Sequence, residues 1–401
     1  MTFLSVSIIT FIKGKINRIV GGFMQKRIRI VSIGFILIVL LISVIILNNN
    51  TNNKHTFKKD GILYALSLDG KKITSFPSKG LYKANVSCEG ADGKWLYDDW
   101  KLAIENITGD ISCDIKFETI TKTYLNDYII GLAGTTQGTG QVVNENGYRY
   151  EGKNPNNYVW FNNEYWRIIG VFDNSSHGVS GKNLVKIIRA EVLDGLAWHK
   201  SYNNDWTVAS LNKLLNGAYY NAQDGTSSGY CYGYSMSVTA NCDYTKRGIQ
   251  SEYRNMIAKV TWYLGGYSST RATVESFYGY ERGTTVYSGR PTKTTGYIGL
   301  MYPSDYGYSV LSSSCTRTIN LDSYNTAVCA GQSWLYENGN KWTISPQSSS
   351  SSDVFIVSIS DYSNGNVACY GMGACPVLYL DASVYKIDGK GTLDKPYIIG
   401  M

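Results

Sequence analysis

The sequence predicts an α+β protein whose large C-terminal part combines an antiparallel sheet with two helices and long loops. Three observations carry this prediction. Short runs that alternate apolar and polar residues are broken by Asp-Gly, Asn-Asn or Pro, as in antiparallel strands. Two segments, residues 207–220 and 249–266, instead place apolar residues at helical spacing. Glycine- and tyrosine-rich stretches without periodicity connect these elements and indicate loops.

A basic segment, residues 1–29, precedes an uncharged apolar run at residues 30–47. These 18 residues come close to the roughly 20 that span a bilayer as a helix, so they predict a transmembrane signal anchor. Positive residues before the run, such as Lys26 and Arg27, predict a cytoplasmic N-terminus and extracellular C-terminal domains in a single-pass cell-membrane protein. Residues 48–59 are polar and indicate a flexible stalk.

Two alternatives concern this N-terminal segment. A cleaved signal peptide is the competing interpretation, but the apolar run exceeds the roughly 7–15 residues of a signal-peptide core, and "LNNNTNN" after it offers no small-residue cleavage site. The start of translation stays open between Met1 and Met24. A purine-rich ribosome-binding site ahead of Met24 would encode "GGFM", and residues 1–23 would then not be translated.

The formal charge of +7 is concentrated at the N-terminus. Residues 1–59 hold nine Lys and Arg and no Asp or Glu, so removing these nine positive charges from +7 leaves −2 for residues 60–401. A nucleic-acid-binding domain carries a basic patch or stripe. The predicted partners are therefore a membrane and an extracellular ligand, and nucleic acid is excluded.

All eight cysteines follow the predicted anchor, where an oxidising exterior permits disulfides. Pairing in sequence order would close four short loops, but all 105 connectivities stay open. The chain has no C-x-x-C motif and only three histidines, so we expect no metal site and no cofactor. The predicted disulfide cysteines are Cys88, Cys113, Cys231, Cys242, Cys315, Cys329, Cys369 and Cys375.

Residues 60–118 predict a small all-β domain that Cys88 and Cys113 would staple. A unit of about 60 residues is marginal on core burial alone, which gives a disulfide its purpose. Beyond it, "TYLNDYIIGLAG" predicts a short helix that ends at glycine. "NYVWFNNEYWRIIGVF" predicts two strands that meet at Asn162 and Asn163, and "LVKIIRAEVL" predicts a third.

Capping and stop signals accompany the two helical segments. Thr207 is a candidate N-cap for residues 207–220, in which three leucines share one face. The second segment keeps helical spacing until Gly265 and Gly266, which predict its end. "VFIVSI" and "PVLYL" further along the chain predict short strands, and "IDGKGTLDKPYIIG" predicts a closing turn and strand.

The ordered motifs "NYVWFNNEYWRIIGVF", "WYLGG", "GYIGLMYPSDYGYS", "WTISP" and "CPVLYL" resemble an uncharacterised group of surface proteins of low-GC Gram-positive gut bacteria. The large domain of that group is similar to C-type-lectin-like and formylglycine-generating-enzyme-like folds. The resemblance implies a C-type-lectin-like domain at residues 119–401. "NPNN" and "NNDW" do not match the calcium and sugar motifs of C-type lectins, and the cysteines suit disulfides rather than oxidase chemistry.

No catalytic motif occurs in the sequence, so we expect a non-catalytic protein. His199, with Asp194 and Asp205 nearby, is the one histidine inside a predicted domain that could serve as a general base. An extracellular hydrolase acting on glycans or peptides is the alternative, and it predicts a polar cleft with His199 or a pair of carboxylates. A structural surface spacer is a further alternative, and it predicts self-association.

The tyrosine-rich loops are the predicted ligand-binding feature, because Tyr, Ser and Gly together supply rigid contact and adaptable hydrogen bonds. The predicted ligand-binding residues are Tyr232, Tyr280, Tyr306 and Tyr308. In "GYIGLMYPSDYGYS" we expect a strand followed by a turn at residues 303–305, with Asp305 lacking a basic partner. The prediction is an adhesin-like surface protein that recognises a glycan or host protein.

Overall fold

The computed structural model describes residues 56–59, 61–97, 99–233, 240–269, 271–336, 340–357 and 366–401. The predicted cytoplasmic segment, the transmembrane anchor and most of the stalk lie outside these residues. No helix among the described residues is long and apolar enough to cross a membrane. The chain divides into two compact units between Thr119 and Ile120.

The first unit is a small β structure built around one long strand, β7. Its strands are β1 (Thr56–Lys59), β2 (Ile62–Leu68), β3 (Lys71–Lys72), β4 (Tyr82–Glu89), β5 (Asp92–Leu96), β6 (Lys101–Glu105) and β7 (Ile111–Thr119). Strand β7 pairs in parallel with β2 and antiparallel with β4, which gives the order β1-β2-β7-β4. Cys88 lies directly opposite Cys113 in this pairing, and the two form a disulfide.

The core of the first unit follows from alternation along β7. Ile111, Cys113, Ile115 and Phe117 are buried, and the residues between them are exposed. Successive side chains of a strand point to opposite faces, so one face of β7 is apolar from Ile111 to Phe117. Trp95 from the β5–β6 hairpin packs edge-on against Phe117, with ring centroids 4.9 Å apart.

The second unit is a mixed α+β structure made mostly of strands. Its α-helices are α1 (Leu125–Ile130), α2 (Asn174–His177), α3 (Ser210–Leu214), α4 (Val274–Arg282), α5 (Pro303–Ser309) and α6 (Ala327–Ala330). Its strands are β8 (Thr123–Tyr124), β9 (Thr136–Gln137), β10 (Thr139–Asn144), β11 (Tyr148–Asn154), β12 (Tyr158–Phe161), β13 (Glu164–Phe172), β14 (Leu184–Arg189), β15 (Gly195–Ala197), β16 (Val260–Tyr263), β17 (Lys293–Gly296), β18 (Ile298–Gly299), β19 (Lys341–Pro346), β20 (Asp353–Val357), β21 (Asn366–Val367), β22 (Gly371–Gly373), β23 (Val377–Leu380), β24 (Tyr385–Asp388) and β25 (Tyr397–Gly400).

An eleven-stranded sheet organises the second unit. Its main path runs β18-β23-β14-β13-β12-β25-β24-β8, and β11 joins it by pairing with β13. β25 and β24, the last two strands in the chain, therefore lie between β12 and β8, the first strand of the unit. A five-stranded sheet, β15-β22-β19-β20-β21, contributes Trp342 and Ile344 to the same hydrophobic core.

The hairpin of β12 and β13 confirms the prediction that the chain turns at Asn162 and Asn163. Both residues adopt positive φ, 57° and 59°, which asparagine tolerates better than most side chains. Asn162 also accepts a hydrogen bond from the backbone N–H of Gln250 and donates one to the carbonyl of Gly248. The predicted strand "LVKIIR" is confirmed as β14, and the predicted short helix is confirmed as α1, capped at Gly131.

The predicted helix over residues 249–266 is wrong. A 3₁₀ helix, Ser251–Met256, is followed by strand β16, which pairs with β17. The β-branched and aromatic residues of "VTWY" favour a strand once a partner is available, and this tertiary pairing overrides the helical spacing. Gly265 does not cap a helix; a Cβ there would lie 2.1 Å from the carbonyl oxygen of Tyr280, so close backbone packing requires glycine.

The predicted helix over residues 207–220 is broken into three pieces. They are a 3₁₀ turn (Trp206–Val208), α3 and a π-helical turn (Leu215–Tyr219). All three leucines predicted to share a face are buried. The cap is Asp205 rather than Thr207, because the Asp205 carboxylate accepts the N–H of Thr207.

Six of the eight cysteines form disulfides in sequence order: Cys88–Cys113, Cys231–Cys242 and Cys315–Cys329. The last two, Cys369 and Cys375, are buried thiols and are not joined to each other. The expected fourth disulfide is therefore absent. Strand β22 lies between them and pairs with β15, so this segment is extended between the two cysteines.

Candidate functional site

Two of the predicted ligand-binding tyrosines, Tyr306 and Tyr308, belong to the core. They are 2% and 3% exposed and lie on α5, where we expected an open turn. Pro303 starts this helix, because proline at the first helical position loses no hydrogen bond. The hydroxyl of Tyr308 accepts a hydrogen bond from Asn146 at 2.7 Å. Both rings are therefore packed in the core and are not presented at the surface.

The other two predicted tyrosines, Tyr232 and Tyr280, are half-buried. The ring of Tyr280 stacks on Tyr267 with centroids 4.1 Å apart, so one of its faces is covered. Tyr232 accepts the N–H of Ala197 through its carbonyl. Tyr306 and Tyr308 lie on the same helix, but no ring contact among the described residues joins Tyr232 or Tyr280 to another of the four predicted tyrosines.

The geometry around His199 does not form the polar cleft that the hydrolase alternative predicts. The side chain is 5% exposed, and its Nδ1 accepts the backbone N–H of Ser201 at 3.0 Å. Burial, followed by the charge of Lys200, lowers the pKa of His199. The two nearby carboxylates are used elsewhere: Asp194 pairs with Arg247 at 2.8 Å, and Asp205 caps the turn that follows it.

Asp305, expected to lack a basic partner, lies in a buried ion cluster. Its carboxylate contacts Arg149 at 3.0 Å and Lys186 at 2.5 Å, and all three side chains are 1% exposed. It also accepts the N–H of Tyr302 at 2.9 Å. Burial alone would raise the pKa of Asp305, but the charges of Lys186 and Arg149 outweigh it and hold that pKa below its usual value.

A second carboxylate, Glu281, meets the same helix end. It accepts the backbone N–H of Ser304 at 2.8 Å and contacts the Ser304 hydroxyl at 2.5 Å, and it lies 3.1 Å from Arg282. Burial raises the pKa of Glu281 to about 7, although Arg282 and Ser304 favour its charged form. Because Glu281 and Asp305 are both buried, the cluster fixes α5 in place and offers no open cleft to a substrate.

The raised pKa of Glu281 makes stability depend on pH. Between about pH 4.5 and 7 the folded state holds a proton that the unfolded state has released, so stability falls as pH rises through this window. The Glu281→Gln variant lacks this titrating group. The unfolding free energy of the variant minus that of the wild type is therefore expected to be about 3 kcal/mol larger at pH 8 than at pH 5. Guanidinium unfolding at both pH values measures this, and a constant difference between the two proteins would contradict it.

The best candidate for ligand contact is the outward face of the β12–β13 hairpin. Val159 and Phe161 point into the core, so Tyr158 and Trp160 point outward and are half-buried. Trp160 lies opposite Tyr165, which is 36% exposed. Tyr165 meets Trp160 and Tyr158 edge-on, with ring centroids 5.0 Å and 6.1 Å apart. We call Tyr158, Trp160 and Tyr165 the aromatic face.

A small basic pocket adjoins the aromatic face. We call it the basic pocket; its lining residues are Arg167, Ile188, Arg189, Ala190, Trp334, Leu335, Lys341 and Cys375. The guanidinium of Arg167 lies 4.3 Å from the ring of Tyr158 and 4.7 Å from the ring of Trp334. Ala190 donates its N–H to the carbonyl of Tyr165. The two features are thus continuous through both a side chain and the backbone.

Sequence reasoning missed this face although the signal was present. The motif "NYVWFNNEYW" predicts a hairpin, and period-2 alternation then assigns Tyr158, Trp160 and Tyr165 to one face. No group of three or more His, Cys, Asp or Glu side chains suited to a metal ion occurs in the described part of the chain.

The comparisons with known proteins add no identification: the chain matches no protein-family model, no curated protein and no solved structure.

Proposed function

We propose that this protein is a non-catalytic cell-surface protein that recognises an extracellular glycan through the aromatic face. The observation that carries the proposal is the cross-strand grouping of Tyr158, Trp160 and Tyr165 on the outward side of a sheet. Aromatic rings supply a large apolar contact area, and sugars pack their C–H faces on such rings. Two strands with a buried inner face hold these rings in place, so little conformational freedom is lost on binding.

We also propose the membrane anchor, the extracellular location and the fold of the second unit that the sequence predicts. The apolar run at residues 30–47 anchors the chain in the membrane, and the three disulfides support an extracellular location for both units. The second unit is proposed to be C-type-lectin-like. Support comes from the sheet, in which strand β24 near the end of the unit pairs with its first strand, β8.

Binding of the oxidised full chain to a glycan array, with and without chelator, tests this function. We expect Trp160→Ala to weaken binding roughly tenfold or more, because aromatic anchors dominate recognition surfaces. Tyr165→Ala should weaken binding in the same direction. Tyr287→Ala is the matched control, since Tyr287 is also 36% exposed but lies outside the aromatic face.

Equal binding by the wild type and Trp160→Ala would remove the aromatic face from the proposal. Absence of binding to every glycan would favour a protein ligand or a structural spacer, and cross-linking on intact cells would then identify the neighbour. A hydrolase would instead release products from the array.

A further inference from the structure

We propose that Lys186 and Asp305 react with each other to form an amide cross-link inside the second unit. The side-chain nitrogen of Lys186 bonds to the carboxyl carbon of Asp305, and one water molecule leaves. The cross-link joins strand β14 to helix α5 across 119 residues of sequence. This covalent modification of the chain by its own residues goes beyond the proposed function and does not depend on it.

The two reacting groups are already in contact and are shielded from water. Nζ of Lys186 lies 2.5 Å from Oδ2 of Asp305, and both side chains are 1% exposed. Groups held together in a fixed orientation react as if at effective concentrations of about 10⁵–10⁸ M. Because the pair is buried, water does not solvate the two charges and hold the groups apart.

The surroundings of Lys186 favour its uncharged amine, which is the nucleophile in amide formation. Nζ lies 4.4 Å from the ring centre of Tyr302, and three more aromatic rings lie 5.7–5.9 Å away. Burial lowers the pKa of Lys186 to about 8, although the charge of Asp305 acts in the opposite direction. A lysine amine that is desolvated in an apolar site is activated as a nucleophile.

Two donors orient the carboxyl group of Asp305. Arg149 donates through Nη1 to Oδ1 at 3.0 Å, and the backbone N–H of Tyr302 donates to Oδ2 at 2.9 Å. When the amine adds to the carboxyl carbon, negative charge develops on Oδ1. The guanidinium of Arg149 is already placed to stabilise this charge, as the donors of an oxyanion hole do.

The reaction balances without a co-reactant. The ammonium of Lys186 begins with three protons. One proton moves from Nζ to Oδ2 within the contact, which gives an amine and a carboxylic acid. The C–N bond then forms, a second proton moves from nitrogen to Oδ2, and the C–Oδ2 bond breaks as its electron pair leaves with the oxygen in water. The third proton stays on the amide nitrogen, so the net charge of the cluster is unchanged.

The site also accommodates the product. Oδ1 becomes the amide oxygen, and it can still accept the hydrogen bond of Arg149. The guanidinium of Arg149 lies 4.5 Å from the ring centres of both Phe172 and Tyr308. Aromatic faces attract a desolvated cation, so Arg149 keeps favourable contacts after Asp305 has lost its charge.

Mass spectrometry of the reduced full chain, digested after Lys and Arg, tests the proposal. We expect residues 183–189 to be joined to residues 294–317, with no cleavage after Lys186 and with the pair lighter than its two peptides by one water. Lys186→Arg keeps a buried cation at this position but cannot form the cross-link. This variant should release residues 294–317 unlinked, and so should Asp305→Ala.

The wild-type digest is decisive even if a variant fails to fold. Recovery of residues 294–317 only in unlinked form overturns the proposal, and so does a water loss confined to a single peptide. The exposed pair of Lys101 and Asp99, 2.6 Å apart, is the matched control within the same chain. It should stay unmodified, because its groups are solvated. A comparable water loss there would attribute the reaction to sample handling and would also overturn the proposal.

Discussion

Replacing Asp305 by asparagine is expected to lower the free energy of unfolding by about 3–5 kcal/mol. The substitution keeps the side-chain size but removes the charge that neutralises Arg149 and Lys186, both 1% exposed. Breaking one partner of a buried ion pair leaves an uncompensated charge in a medium that solvates it poorly. An asparagine oxygen can still accept the N–H of Tyr302, so the loss should reflect charge rather than helix capping.

Guanidinium unfolding of the second unit, followed by tryptophan fluorescence, measures this loss. Asp322→Asn is the matched control, because Asp322 lies 3.9 Å from Arg271, whose side chain is 82% exposed. Exposed pairs contribute about 0–1 kcal/mol. Similar losses in the two variants would show that the buried cluster carries no special stability.

The second large effect concerns the disulfide of the first unit. Changing both Cys88 and Cys113 to serine is expected to destabilise that unit by about 3–4 kcal/mol, since the disulfide closes a loop spanning 25 residues of sequence separation. The unit has a small core around Trp95 and Phe117, so this loss is a large fraction of its stability.

Hydrogen exchange detected by mass spectrometry reports on this unit separately from the second. We expect the amides of β4 and β7 to exchange faster by orders of magnitude in the double variant. Changing Cys231 and Cys242 to serine removes a disulfide from the second unit and should leave those amides unchanged. Unchanged exchange in the Cys88 and Cys113 variant would mean that the strand pairing alone holds the unit together.

The sequence predicted those elements that are determined by residues close together in the chain. Asn162 and Asn163 mark their own turn, and the alternation around them assigns two strands. The ion cluster could not be predicted in this way. Asp305 lies 156 residues from Arg149 and 119 from Lys186, and no local pattern says that three strongly polar side chains will be buried together.

The candidate site shows the same division between local and long-range information. Outward alternation in the hairpin is readable from the sequence, whereas Lys341 reaches the basic pocket only because β19 belongs to another sheet. Residues 260–263 illustrate the opposite error. Their helical spacing is a coincidence of composition that pairing with β17 overrides.

The position of β25 has a consequence for the order in which the chain can fold. Strand β25 pairs in parallel with β12, with Ile398 opposite Trp160. On its other side β25 pairs antiparallel with β24. Until residues 397–400 are available, β12 lacks one neighbour and its backbone groups stay open to water. Pairing of such distant segments is slow because a long loop must close first. A chain emerging from a ribosome would therefore complete this part of the sheet only after residues 397–400 have been made.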